Sequence, residues 1–176
     1  MDAMQVLLNR RSIRRFKPEQ IKDEDLKQIL EAGEYAPTAK GLQSPFFIAV
    51  QDKEDIATIN DLSRQIMGRD FPSPYYGAPT LILVFYDRGI TNDEFGVLDG
   101  SAAITNMLNA AYALGLGSCW IHRCHQMFEM EEGKALLKKW GIKEDLVGVA
   151  SMAVGYADQE QPKPRPRKEN FYKIVK

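Results

Sequence analysis

Nine of the 23 lysines and arginines in this 176-residue chain lie in two short clusters, whose residue types and spacing could do chemistry. The first, Arg10-Arg11-Ser12-Ile13-Arg14-Arg15-Phe16-Lys17, holds five positive charges in eight residues and no acid. The second, Lys163-Pro164-Arg165-Pro166-Arg167-Lys168, holds four more near the far end. The whole chain carries a net charge of -1, so without those nine charges the remainder carries -10. Concentrated cationic segments on an otherwise acidic chain point to a local anion site and not to a diffuse polyanion-binding surface. Arginine suits a phosphate because its planar fork meets the oxygens bidentately and never loses its charge. The plainer reading of each cluster is a solvated basic face.

Three other stretches hold residues with chemical potential. Cys119-Trp120-Ile121-His122-Arg123-Cys124-His125 contains both cysteines and both histidines of the chain. Those are zinc-ligand types, but structural zinc sites combine ligand pairs from separate segments, and on a strand Cys119 and His122 face opposite ways. We therefore expect no metal. A nucleophilic thiol would need an orienting acid, which is not identifiable here, so Cys119 reads best as a small buried residue. Gly115-Leu116-Gly117 lacks the third glycine of a dinucleotide fingerprint and follows a helix, whereas that fingerprint follows a strand. Phe71-Pro72-Ser73-Pro74-Tyr75-Tyr76-Gly77-Ala78-Pro79 is too rich in proline for regular structure. Its aromatics Phe71, Tyr75 and Tyr76 could wall a substrate pocket, or could simply pack the loop down.

The elements that must position these groups follow from periodicity. Strands are expected near 46–51, 80–86, 118–122 and 147–156, with 80–86 apolar on both faces and so central. Helices are expected after Asp2, over a first turn at Asp23-Glu24-Asp25, after an Asp52 cap, over 97–114 and over 129–140. The helix over 97–114 is apolar or small around most of its circumference, as in a core or a subunit interface. Interleaved helices and strands in a chain this long give one domain, a three-layer α/β or α+β sandwich. A sequence pI of about 6.2 speaks against nucleic-acid binding, and no apolar run approaches the roughly 20 residues that span a bilayer. With only two cysteines and no signal-peptide pattern, the cytoplasm is the expected address.

Arg10-Arg11-Ser12-Ile13-Arg14-Arg15-Phe16 resembles the N-terminal signature of the nitroreductase family of FMN-dependent oxidoreductases. The resemblance continues in Ala36-Pro37-Thr38-Ala39-Lys40-Gly41-Leu42-Gln43, in Ala113-Leu114-Gly115-Leu116-Gly117-Ser118-Cys119-Trp120-Ile121, and in Val154-Gly155-Tyr156 with its proline-arginine tail. It implies an α+β three-layer sandwich with a mainly antiparallel central sheet flanked by helices. It further implies an intertwined homodimer with two FMN sites at the interface, and a tail, 157–176, extended against the partner subunit. By that resemblance Arg10, Ser12 and Arg14, with Arg11 among the cofactor contacts, hold the FMN phosphate, ribityl chain or polar groups of the ring. Arg165 and Arg167 close on the phosphate from the tail. Pro37, Thr38, Ala39 and Gln43 approach the flavin from the partner subunit, and Ile121, His122 and Arg123 lie by its reactive edge. The implied activity is ping-pong hydride transfer from NADH or NADPH to nitroaromatics, quinones or free flavin, with no catalytic side chain because the flavin carries the chemistry. A dehalogenase or oxidative modifier on the same fold, an FMN store or sensor with little turnover, and a non-redox anion-binding module are the alternatives. Many relatives carry Asn-x-Gln-Pro-Trp where this chain has Gly41-Leu42-Gln43-Ser44-Pro45, and Phe71 and Pro74 fall where some carry asparagine and lysine. The pocket is therefore expected to be more aromatic than theirs.

Overall fold

The run from Leu81 to Tyr86 is apolar at every position, as a strand covered on both faces requires. In the computed structural model of the chain, which describes residues 2–69 and 71–176, this run lies in β2 (Thr80–Asp87), inside a four-stranded sheet. Its neighbours are β1 (Pro45–Val50) and β4 (Leu146–Gly155), and β3 (Gly117–Ile121) forms the far edge. The order is β1-β2-β4-β3 and every adjacent pair is antiparallel. All four expected strands form, each within a residue of the limits read from the sequence.

Successive side chains of β2 leave to opposite faces. Leu81, Leu83 and Phe85 join a core with Ile59, Met127 and Leu136, under α3 (Lys53–Met67), α5 (Cys124–Glu129) and α6 (Glu131–Lys139). Ile82, Val84 and Tyr86 join a second core with Ile29, Ile104 and Met107, under α2 (Asp23–Glu34) and α4 (Asp93–Ala113). These are the three layers. The short α1 (Ala3–Asn9) precedes them and leads into the basic segment.

Two helices differ from the expectation. The long helix starts at Asp93 and not at 97, because Asn92 accepts the Phe95 amide at 3.0 Å while Asp93 and Glu94 occupy its positive end. The helix expected over 129–140 is α6, and an unexpected short helix, α5, precedes it, the two separated at Met130, whose ψ of 151° is extended. The break brings α6 against the end of α5 so closely that a Cβ on Gly133 would fall 2.0 Å from the Met127 carbonyl oxygen.

Within the layer of α3, α5 and α6, α3 is tied to the end of α6 by one buried carboxylate. Asp55, 5 % exposed, accepts hydrogen bonds from Lys139 Nζ at 2.6 Å and from Trp140 Nε1 at 2.8 Å. The Lys139 hydrogen bond, with Trp140 assisting and burial opposing, holds the Asp55 carboxyl below its ordinary value. A carboxylate depressed in this way adds stability above its unfolded pKa, and that stability is lost as pH falls through the folded one. Asp55→Ala is expected to cost about 2 kcal/mol in urea unfolding near neutral pH, since the indole N–H loses its acceptor. The gap between wild type and variant should narrow as pH falls below the ordinary carboxylate range. A gap that stays constant from pH 7 to pH 2 would contradict this assignment.

Candidate functional site

The basic segment is built into the sheet's edge. Ser12 bridges Ser118 of β3 in parallel, with the Ile13 amide donating to the Ser118 carbonyl at 2.9 Å. Phe16 bridges Ala157 in the antiparallel sense, and the Lys17 amide donates to the Tyr156 carbonyl at 2.9 Å. The cluster is thus extended, flanked by β3 on one side and the chain leaving β4 on the other. Ile13 and Phe16 are buried and anchor it.

Extension sorts the cationic side chains. Alternation along the extended segment puts Arg10, Ser12 and Arg14 on one side, with Ser12 next to the buried Cys119. Burial raises that thiol above its ordinary pKa, while Arg14, the Ser12 hydroxyl and Arg10 pull in the other direction. Arg10 is itself half-buried, and burial followed by the charge of Arg11 lowers its guanidinium below the usual value. Among the described residues neither Arg10 nor Arg14 is in an ion pair, whereas Arg15 faces Asp158 at 3.5 Å. The Arg14 amide donates to Gln159 Oε1 at 2.9 Å, which fixes the backbone and leaves the guanidinium free to bind something else. Such a corner can hold an anion with several oxygens.

Arg11 does not join them. It lines a separate hollow of about 280 Å³ with Tyr112, Gly115, Gln159 and Gln161, donates to the Arg10 carbonyl at 2.7 Å, and buries its Nε without a partner among the described residues. Arg165 and Arg167 are exposed, on a tail that is tied to the N-terminal segment only as far as the hydrogen bond from the Gln161 amide group to the Asn9 carbonyl.

At the other end of β3, Ile121, His122 and Arg123 line a hollow of about 180 Å³ together with Phe71 and Tyr76. Arg123 adopts a left-handed conformation, φ 81°, and caps α5. Phe71 and Tyr76 meet edge to face at 6.1 Å. Tyr75, expected beside them, is fully buried instead, with its hydroxyl 2.7 Å from Ser151 Oγ, and packs in the core. Cys119 and Cys124 are buried while His122 and His125 are exposed, so the four do not gather around one point.

The loop of Pro37, Thr38, Ala39 and Gln43 is rigid for a reason the sequence did not reveal. Asp99 of α4, 5 % exposed, accepts the Ala39 amide at 2.9 Å and the Ser44 hydroxyl at 3.0 Å, while Thr38 Oγ1 accepts the Gln43 amide at 3.0 Å. Lys40 and Gln43 both take positive φ, 54° and 55°. Past its first turn α4 has one carboxylate, Asp99, and that was the available signal.

The sheet register separates this loop from the basic corner. The loop enters β1 at Pro45, opposite Tyr86, whereas Ser118 lies on the row of Val154 and Thr80 at the other end of β2. Three strand spacings and six residues along a strand put them about 14 Å apart in one direction and about 20 Å in the other. They occupy diagonally opposite corners of the sheet.

The Nitroreductase family model matches residues 7–69 and 73–156. A protein of Archaeoglobus fulgidus named as an NADH dehydrogenase/NAD(P)H nitroreductase is 33% identical over 163 residues, 91% of this chain and 88% of its own. An FMN reductase (NAD(P)H) of Bacillus subtilis is 25% identical over 178 residues, 93% of this chain and 70% of its own. Among solved structures, a nitroreductase with bound FMN from Bacteroides fragilis superposes with a TM-score of 0.89 at 28% identity, covering all of both chains. One with bound FMN from Desulfitobacterium hafniense does so at 0.85 and 25% identity, again over all of both.

Asp99→Ala should release the loop. The Ala39 amide is expected to exchange its hydrogen about ten times faster or more, with tryptic cleavage after Lys40 rising in parallel, because local opening no longer breaks those bonds. Asp99→Asn, which keeps an acceptor oxygen, should fall between the two. Unchanged exchange at Ala39 in the alanine variant would refute the clamp.

Proposed function

Because the chain belongs to the nitroreductase family, we propose that it works as an FMN-dependent NAD(P)H oxidoreductase assembled from two copies of itself. Bound FMN would supply the redox chemistry, a ping-pong hydride transfer from NADH or NADPH to a nitroaromatic, a quinone or free flavin. The observation that carries the reading is the side of the extended segment that Arg10, Ser12 and Arg14 share beside β3, with neither arginine in an ion pair among the described residues. That donor set fits a phosphomonoester, which offers several oxygens to two guanidinium forks and a hydroxyl.

The other residues have supporting tasks in this reading. Ile121, His122 and Arg123, at the end of the strand that carries the phosphate corner, would orient the ring and present hydrogen-bond donors where negative charge develops. No side-chain nucleophile is required. Pro37, Thr38, Ala39 and Gln43 would reach the ring from a second copy, which accords with their distance from the basic corner within one chain.

Exposed apolar surface also supports two copies. Met4, Leu7 and Leu8 of α1 and Val97 and Leu98 of α4 are each at least 45% exposed in the isolated chain, and so are Phe171, Tyr172, Ile174 and Val175 of the tail. Large apolar side chains left exposed in this number are candidates for burial against a second copy. We infer that the tail crosses to the partner, bringing Arg165 and Arg167 to the phosphate. Arg11 would then contribute through its backbone position and not through its guanidinium. Among the described residues no helix is long and apolar enough to cross a membrane. Both cysteines are free, as in a reducing compartment such as the cytoplasm.

The purified protein should be yellow or become so with added FMN, and anaerobic NADH or NADPH should bleach it, with colour returning on addition of a quinone. Colourless protein that refuses FMN would refute the reading; a yellow protein that no nicotinamide reduces would be a flavin store. Arg10→Ala with Arg14→Ala is expected to weaken FMN binding at least tenfold at low salt, with a smaller difference at high salt as screening weakens the wild type. Equal retention of FMN by wild type and double variant through desalting would remove the phosphate assignment.

A further inference from the structure

The hollow beside Ile121–Arg123 carries an unassigned charge. α3 ends at Gly68, whose left-handed conformation (φ 61°) turns the chain, and the next residue, Arg69, comes onto the lip of the hollow. Its guanidinium carbon lies 6.0 Å from the centre of the Phe71 ring, at the outer edge of cation–π range. Phe71 is in turn met edge-on by Tyr76, so the lip is a cation resting on an aromatic wall. Arg123 faces the same space, and no carboxylate is among the described residues that line it.

Arg69 differs from the nearest arginine. Arg64, on the last turn of α3, is paired with Asp61 and donates to the Pro72 carbonyl at 3.1 Å. Among the described residues Arg69 has neither an ion pair nor a hydrogen bond from its side chain. A guanidinium is less strongly hydrated than an ammonium and stacks on aromatic faces, which suits it to meet a carboxylate beside a ring.

We propose that this pocket selects planar aromatic acceptors that carry a negative charge, a nitroaromatic or quinone bearing a carboxylate, and that Arg69 is the residue that reads the charge. The proposal rests on the functional reading above, which puts the flavin ring beside Ile121–Arg123, so that an acceptor stacked on that ring would meet Phe71, Tyr76 and Arg69. The ring stacks against Phe71 and Tyr76 while the carboxylate meets Arg69 at the mouth.

The test is equilibrium binding to the full-length oxidised protein, with no electron donor present. Calorimetric titrations would compare 4-nitrobenzoate with 4-nitrobenzamide, which have the same ring and nitro group but differ in charge. The carboxylate is expected to bind about five- to tenfold more tightly at low ionic strength, and the ratio should fall towards one at high salt. Arg69→Gln should bring the ratio close to one, and Arg69→Lys should keep most of it. Equal affinity for the two probes, binding of neither, or an unchanged ratio in Arg69→Gln overturns the proposal. FMN loading of the same sample is read separately after FMN is added: protein that refuses FMN sinks the flavin assignment, whereas a flavin-loaded protein with no charge preference sinks only the role of Arg69.

Discussion

The arrangement depends on one backbone pairing. β3 is an edge strand, and an edge presents unpaired amides and carbonyls. Here residues 12–17 take up that edge and the exit of β4, through Ile13 to Ser118, Lys17 to Tyr156 and Asp158 to Arg15, each at 2.9 Å. Two glycines opposite each other in the register make room for it. A Cβ on Gly117 would come within 2.9 Å of Ile13, and one on Gly155 within 3.3 Å of Phe16. The two apolar anchors can therefore sink in, and the residues between and beside them alternate, so Arg10, Ser12 and Arg14 face one way and Arg11 the other. Without that pairing the segment would be a solvated run of charge.

A second constraint is the strand order. Because β1 and β3 are opposite edges of the sheet, the loop clamped by Asp99 and the basic corner cannot meet within one chain. The same strand that holds the corner, β3, ends three residues after Ser118 beside the hollow of His122 and Arg123, so the groups proposed to hold the phosphate and to face the ring share one rigid element. A site built on a strand keeps its spacing better than one built on loops. The loop and the tail are left to come from elsewhere, and the exposed apolar residues of α1, α4 and the tail give a second copy a surface to cover.

Much of this was legible in the sequence because apolar runs of strand length declare themselves. The basic corner was legible too, since extension alone puts Ser12 and Arg14 on one side. Other features depended on tertiary contacts. Tyr75 and Tyr76 are adjacent in an aperiodic loop, and only packing determines that Tyr75 reaches Ser151 while Tyr76 stays at the hollow. The break at Met130 needs the approach of Gly133 to Met127, which no helical periodicity reveals. Asp99 looked like one acid in a helix of small residues, and its role appears only when the loop folds over it. Arg69 is inconspicuous because a single cation after a helix is ordinary until an aromatic wall lies beneath it.

The central claim is that the corner beside β3 recognises a phosphate, and it is tested most directly by comparing FMN with riboflavin, which differ only in that group. Dissociation constants for both should be measured at low and high salt on the same preparation. Two charge-assisted contacts predict that FMN binds at least about 100-fold more tightly at low salt, with a smaller preference at high salt. Equal affinity for the two flavins would contradict the account, whatever activity the protein displays.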